Sequence, residues 1–107
     1  MKDFFLLGAL VLLVVGLFYF FLPPKGINPV YGYRTPSSTK NDENWEVANK
    51  WASRLFLGLS AVMCLLLYIN QDLKLMDSDD LFITSFLVGI ALIFAVVELK
   101  LWRMNKE

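Results

Sequence analysis

Three stretches of this chain carry no charge at all: residues 4–22, 55–69 and 81–97, which are nineteen, fifteen and seventeen residues long. No other feature limits the fold as tightly. A helix rises about 1.5 Å per residue, so a hydrocarbon core of ~30 Å takes around twenty residues to cross. The chain has 107 residues, 57% of them hydrophobic and 19% charged. The polar surface that remains is too small to shield three such runs from water. The sequence therefore predicts an all-α membrane protein with three transmembrane helices and a structured loop between the first and the second.

The same composition excludes several kinds of chemistry. With no histidine in the chain, a histidine base, proton switch or metal ligand is ruled out. Cys64 is the only cysteine and lies within the second apolar run, so an intrachain disulfide is ruled out too. A formal net charge of zero argues against direct nucleic-acid binding. Near the interfaces, Tyr31, Tyr33, Ser37, Ser38, Glu43 and Glu46 offer groups for nucleophilic or acid–base work, but no spacing among them is diagnostic. We expect no enzymatic activity, no cofactor and no metal.

Taken in order, the chain reads as a single three-helix membrane domain over residues 1–107. Residues 4–22 form the first transmembrane helix. Their run exceeds a signal-peptide core of about 7–15 residues, and Leu22-Pro23-Pro24 lacks a small-x-small cleavage pattern. A motif loop over 23–44 follows, and then a second helix over 45–69 that starts amphipathic. Glu46, Lys50 and Arg54 recur every four residues as a charged stripe, beside an apolar stripe of Val47, Trp51 and Leu55. Asn41 or Asp42 is suited to cap that helix. After a loop over 70–80, the third helix occupies 81–102, with Asp79 or Asp80 as its cap and Glu98 and Lys100 at the interface. Gly8, Gly16, Ser85 and Gly89 mark places where helix backbones can approach closely.

The charges orient the chain. Lys25, Arg34, Lys40, Lys50, Arg54, Lys100, Arg103 and Lys106 fall on one side of the three spans; only Lys2 and Lys74 fall on the other. The positive-inside rule places the motif loop and the C-terminus in the cytoplasm and the N-terminus outside. The outer loop holds Asp72, Asp77, Asp79 and Asp80, without the glycine turn and closing glutamate of a calcium loop. It reads as a solvated acidic hairpin.

All four prolines, with Gly26 and Gly32, lie within residues 23–36. Prolines restrict the unfolded chain and glycines open turns closed to other residues, so this segment is expected to be a defined structure at the membrane surface. Tyr31 and Tyr33 are expected to rest at headgroup level with their hydroxyls wet. Asn28, Gly32, Arg34 and Thr35, followed by Trp45 and Asn49, resemble the signature loop of the SdpI family, small bacterial membrane proteins named for immunity to a secreted killing peptide. Longer members of that family add a further N-terminal membrane half. The resemblance implies a location in the bacterial inner membrane, immunity to or sensing of an antimicrobial peptide, and a cytoplasmic repressor as a signalling partner. It also implies a ligand- or partner-binding role for the loop residues Asn28, Tyr31, Gly32, Tyr33, Arg34, Thr35, Trp45 and Asn49.

The guanidinium of Arg34 suits a carboxylate or a phosphate: a lipid, a C-terminal carboxylate, or Glu43 or Glu46 of this chain. In the last case Arg34 pins the loop to the second helix, while Asn28 and Thr35 satisfy backbone groups. Trp45 and Trp51 are expected to anchor the interface, and Asn49 either offers its amide to the loop or faces water. The other functional reading is a small accessory or scaffold subunit that docks on a larger membrane protein or self-associates as a homo-oligomer.

Overall fold

The computed structural model describes residues 2–105, from α1 (Lys2–Phe21) through α2 (Asp42–Leu73) to α3 (Ser78–Asn105), and no strand occurs among them. Lys106, counted above among the basic residues, lies outside the described residues, as do the side chains of Lys2 and Asp3. Each of the three helices is long and apolar enough to cross a membrane. The protein is an all-α membrane protein.

α2 and α3 extend beyond the expected spans, and both ends of α2 are capped. Asn41 caps α2: its side chain accepts from the Asn44 backbone N–H at 2.8 Å, satisfying one of the donors every helix start leaves open. Asp42 and Glu43 then occupy the first turn, next to the positive end of the helix dipole. At its other end α2 runs on to Leu73 and stops where Lys74 turns left-handed (φ 52°), its N–H bonded to the Asn70 carbonyl at 2.9 Å. The connection to α3 thus shrinks to residues 74–77. Asp79 and Asp80, expected as caps, lie inside the first turn of α3, which begins at Ser78. The carboxylates of Asp77, Asp79 and Asp80 come within 4.8 Å of one another, all exposed.

α2 is the central helix and packs along both neighbours, whereas α1 and α3 touch much less. Its 32 residues rise about 48 Å, matching the molecule's longest dimension of 49 Å. That exceeds a hydrocarbon core of ~30 Å by several turns. α1, at 20 residues, has no such excess. Space therefore remains beyond the end of α1, beside the first turns of α2 and the last turns of α3, and the long first loop fills it.

Small residues set the packing distances. A Cβ on Gly8 would meet the Phe82 ring at 3.3 Å, and one on Gly16 would meet Ser60 Oγ at 3.1 Å; the Leu59 side chain fills the space against Gly89. Ser60 and Ser85 return their hydroxyls to carbonyls of their own helices. One core cluster joins Ala9, Met63 and Leu67, and a second joins Tyr33, Ala48, Ala52, Ile93, Val97 and Leu101. The outer faces expose Leu7, Val11, Val14, Val62, Leu65, Leu87 and Leu92. In water such a surface would aggregate; against lipid tails it carries no penalty.

Candidate functional site

The first loop is held to the helices by buried amides and hydroxyls. Asn49, on the second turn of α2, is 2% exposed. Its Oδ1 accepts from the Tyr19 hydroxyl at 2.5 Å and from the Tyr33 backbone N–H at 2.7 Å. Its Nδ2 donates to the Trp45 carbonyl at 2.9 Å and toward the Tyr33 carbonyl at 3.5 Å. A backbone N–H can only donate, so the Tyr33 contact fixes which way the amide points. One side chain of α2 thereby gathers the end of α1 and the middle of the loop.

Gly32 makes that approach possible. Its φ is +112°, and a Cβ there would lie 2.6 Å from Asn49 Oδ1 and 2.7 Å from Pro24 Cγ. Glycine alone meets both conditions, the positive φ and the missing side chain. Trp45, expected as an interface anchor, is instead 1% exposed, with its Cζ2 3.3 Å from the same point. Two turns of mostly small, buried side chains (Ala48, Asn49, Ala52) let the loop settle onto α2, and the indole fills the space beneath the glycine. The indole N–H is buried without an acceptor among the described residues. Trp51 does remain on the surface, with the Lys100 ammonium 5.6 Å from its ring centre.

Asn28 closes the preceding turn, accepting from Val30 N–H at 3.0 Å and Tyr31 N–H at 2.7 Å and donating to the Gly26 carbonyl at 2.9 Å. The Tyr31 hydroxyl donates to the Leu22 carbonyl at 2.6 Å, capping the end of α1. Farther on, Thr35 and Ser38 cap each other. Ser38 Oγ accepts from the Thr35 N–H at 2.7 Å, and Thr35 Oγ1 accepts from the Ser38 N–H at 3.1 Å, a reciprocal arrangement like a helix capping box. Ser38 is 0% exposed. Asn44 Nδ2 donates to the Ser37 carbonyl at 2.9 Å and ties this turn to the start of α2.

The network ends on α3. Glu98 Oε2 accepts from the Tyr33 hydroxyl at 2.7 Å and from Thr35 Oγ1 at 2.9 Å. Burial raises the Tyr33 pKa above its ordinary value, and the Glu98 carboxylate raises it further by holding the phenolic proton in place. Tyr33 is therefore not wetted at the headgroups. It is a buried strut between the loop and α3. Tyr19, Ser38 and Glu98 are not among the expected binding residues: Tyr19 and Glu98 have partners distant in sequence, and Ser38 sits in a polar run and bonds backbone.

Arg34 stands apart. It is exposed, and its guanidinium makes no hydrogen bond or ion pair with any described residue, Glu43 and Glu46 included. It does not pin the loop; the two residues beside it do. Tyr33 and Thr35 both turn inward to Glu98 and leave the intervening side chain outside.

The profile of the SdpI/YfhL protein family matches residues 25–98, from the start of the loop to the carboxylate that clamps it. The chain belongs to the SdpI/YfhL family. It is also similar to a Bacillus subtilis (strain 168) protein named "Uncharacterized protein YfhL", 31% identical over 86 residues, which are 80% of this chain and 72% of that protein. No solved structure gives a significant match. In this family member the resemblance residues Asn28, Tyr31, Gly32, Tyr33, Thr35, Trp45 and Asn49 all lie within one packed unit, and Arg34 is the one that projects from it.

Proposed function

We propose that this protein is an SdpI-like immunity or sensing protein, with the motif loop and the C-terminus cytoplasmic and the N-terminus outside. The observation that carries the reading is the contrast within one tripeptide: Tyr33 and Thr35 bonded to Glu98 of α3, and Arg34 between them left free. A free guanidinium on an ordered loop loses little entropy when it engages a carboxylate or phosphate. Because the loop is bonded to all three helices, a peptide that shifts one of them within the bilayer also shifts Arg34. Family membership supports the toxic peptide and a cytoplasmic repressor as the partners. No catalytic step is assigned to the loop. Gly8, Gly16 and Gly89 are taken up by packing inside the bundle, so they no longer argue for docking on a larger complex.

The test is survival. Cells lacking the gene are exposed to the secreted peptide of sibling cells and complemented with the wild type or Arg34→Ala. Restored survival with the wild type and not with the variant, at equal membrane levels, is the expected result. Equal survival with and without the gene removes the immunity reading. Reporter fusions that put residue 34 outside the cell remove the signalling geometry.

A further inference from the structure

A second feature lies beside the loop network and involves neither Arg34 nor Glu98. A cavity of about 740 Å³ is lined by Phe20, Pro23, Pro24 and Lys25 from the end of α1 and the loop start, and by residues of α2 between Glu46 and Arg54. That volume falls within the range of ~300–1,000 Å³ common to small-molecule sites. Lys25, Lys50 and Arg54 line it against a single carboxylate, Glu46. The charged stripe on α2 is where the sequence puts it, yet Glu46, Lys50 and Arg54 are exposed and form no ion pair with any described residue. Three cations thus share one concave wall with two positive charges in excess. The neutral groups in the wall are already engaged: Asn49 in the loop network and Ser53 with the Lys50 carbonyl at 3.0 Å.

We propose that this cavity binds the phosphate-bearing headgroup of an anionic phospholipid. Its depth in the membrane favours a lipid over a free anion. α1 ends at Phe21, and the charge-free run of α2 opens at Leu55, directly after Arg54. The cavity therefore sits where hydrocarbon gives way to headgroups. Phe20, Pro23, Pro24 and Val47 supply its apolar wall, suited to the glycerol end of a lipid, while the guanidinium fork and two ammonium groups suit phosphate oxygens. The site would fill from whichever leaflet faces it, so it does not depend on the immunity reading or on the orientation of the chain.

The experiment measures lipid retained on purified protein in detergent by native mass spectrometry. Phosphatidylglycerol and phosphatidylcholine of identical acyl chains are supplied at equal amounts. The wild type is expected to retain phosphatidylglycerol preferentially. K25Q, K50Q and R54Q are each expected to weaken that preference about fivefold, and E46Q to strengthen it by a similar factor. R103Q, which removes an exposed cation outside the cavity, is expected to leave it unchanged. The four charged cavity side chains are unpaired among the described residues, so these variants should keep the wild-type melting temperature in phosphatidylcholine. Equal retention of the two lipids overturns the proposal, as does an R103Q effect as large as that of R54Q. If inorganic phosphate at lipid-equivalent concentration displaces phosphatidylglycerol, the site belongs to a free anion and the lipid assignment fails.

Discussion

The two ends of the bundle are closed by different means. Between α2 and α3, residues 74–77 suffice, and Asn70 organises them. Its Oδ1 accepts from Leu75 and Met76 N–H groups, and its Nδ2 donates to the Met76 carbonyl at 2.8 Å. Between α1 and α2 the chain uses twenty residues, 22–41, with a buried Ser38, a half-buried Asn28, a left-handed glycine and struts to both other helices. Four residues suffice to join two of these helices, so connectivity does not explain the longer solution. A buried polar network is costly when any member is missing and specifies one geometry when all are present. The end that carries the network is the end held to one geometry.

Gly32 offers the hardest test of that contrast. Gly32→Ala adds backbone strain at φ +112° and a Cβ 2.6 Å from Asn49 Oδ1, together about 3–5 kcal/mol. Thermal unfolding in detergent should show the largest loss of any single substitution here. Gly58→Ala is the counterpart, with nothing within 4 Å of its added Cβ. In mid-helix it should stabilise by up to about 1 kcal/mol. A Gly32→Ala protein as stable as Gly58→Ala would mean the loop does not rest on α2.

Asn49→Leu comes next. It leaves the Tyr33 N–H with only the longer 3.2 Å contact to the Tyr19 hydroxyl and strips that hydroxyl of its acceptor, at a cost of about 2–4 kcal/mol. Asn70→Ala, at the simpler end, removes a buried amide whose partners Leu75 and Met76 are exposed, so water replaces part of what is lost and about 1–2 kcal/mol is expected. If Asn70→Ala proves the more damaging of the two, the contrast between the ends is reversed.

The spans were legible in the sequence because charge-free runs of that length have few other uses, and a cap at Asn41 or Asp42 was legible because capping is local, the structure choosing Asn41. The role of Trp45 was not. Its position on an amphipathic helix start reads as an interface anchor, and only the approach of Gly32 shows it to be a floor. Tyr19 has the one hydrogen-bonding side chain among residues 4–22, and that was the available signal for it. Glu98 is the only acidic residue between Asp80 and Glu107, but its partners lie 63 and 65 positions away. A charge at the end of an apolar run reads as an interface residue until the partner is seen.

Burial, and then the Glu98 carboxylate, also give the clamp a pH dependence. Tyr33 holds its proton more tightly in the folded protein than in the unfolded chain, where a phenol ionises near ~10. A folded-state pKa above the unfolded one contributes stability that is complete below about 10 and declines as pH rises through the folded value. Melting temperature should therefore fall on the alkaline side, and Tyr33→Phe should flatten that fall. Glu98→Gln keeps the shape but gives up the charge in both hydrogen bonds, for about 1–2 kcal/mol at neutral pH. An alkaline limb identical in Tyr33→Phe would place its origin elsewhere.

Arg34→Ala is expected to be the smallest perturbation by stability and the sharpest by function. The side chain is exposed and unpaired among the described residues, so its removal should change the unfolding free energy by less than about 0.5 kcal/mol. Glu98→Gln, at the carboxylate that holds the residues on either side of Arg34, has the opposite profile: it loosens the loop and leaves the guanidinium in place. The two variants therefore separate holding the loop from using it. If protection depends on recognition by Arg34, the alanine variant loses it at wild-type stability, and Lys at that position restores charge but not the planar fork. If protection follows stability across the set, failing with Glu98→Gln and surviving with Arg34→Ala, then the loop acts only as a brace for the bundle.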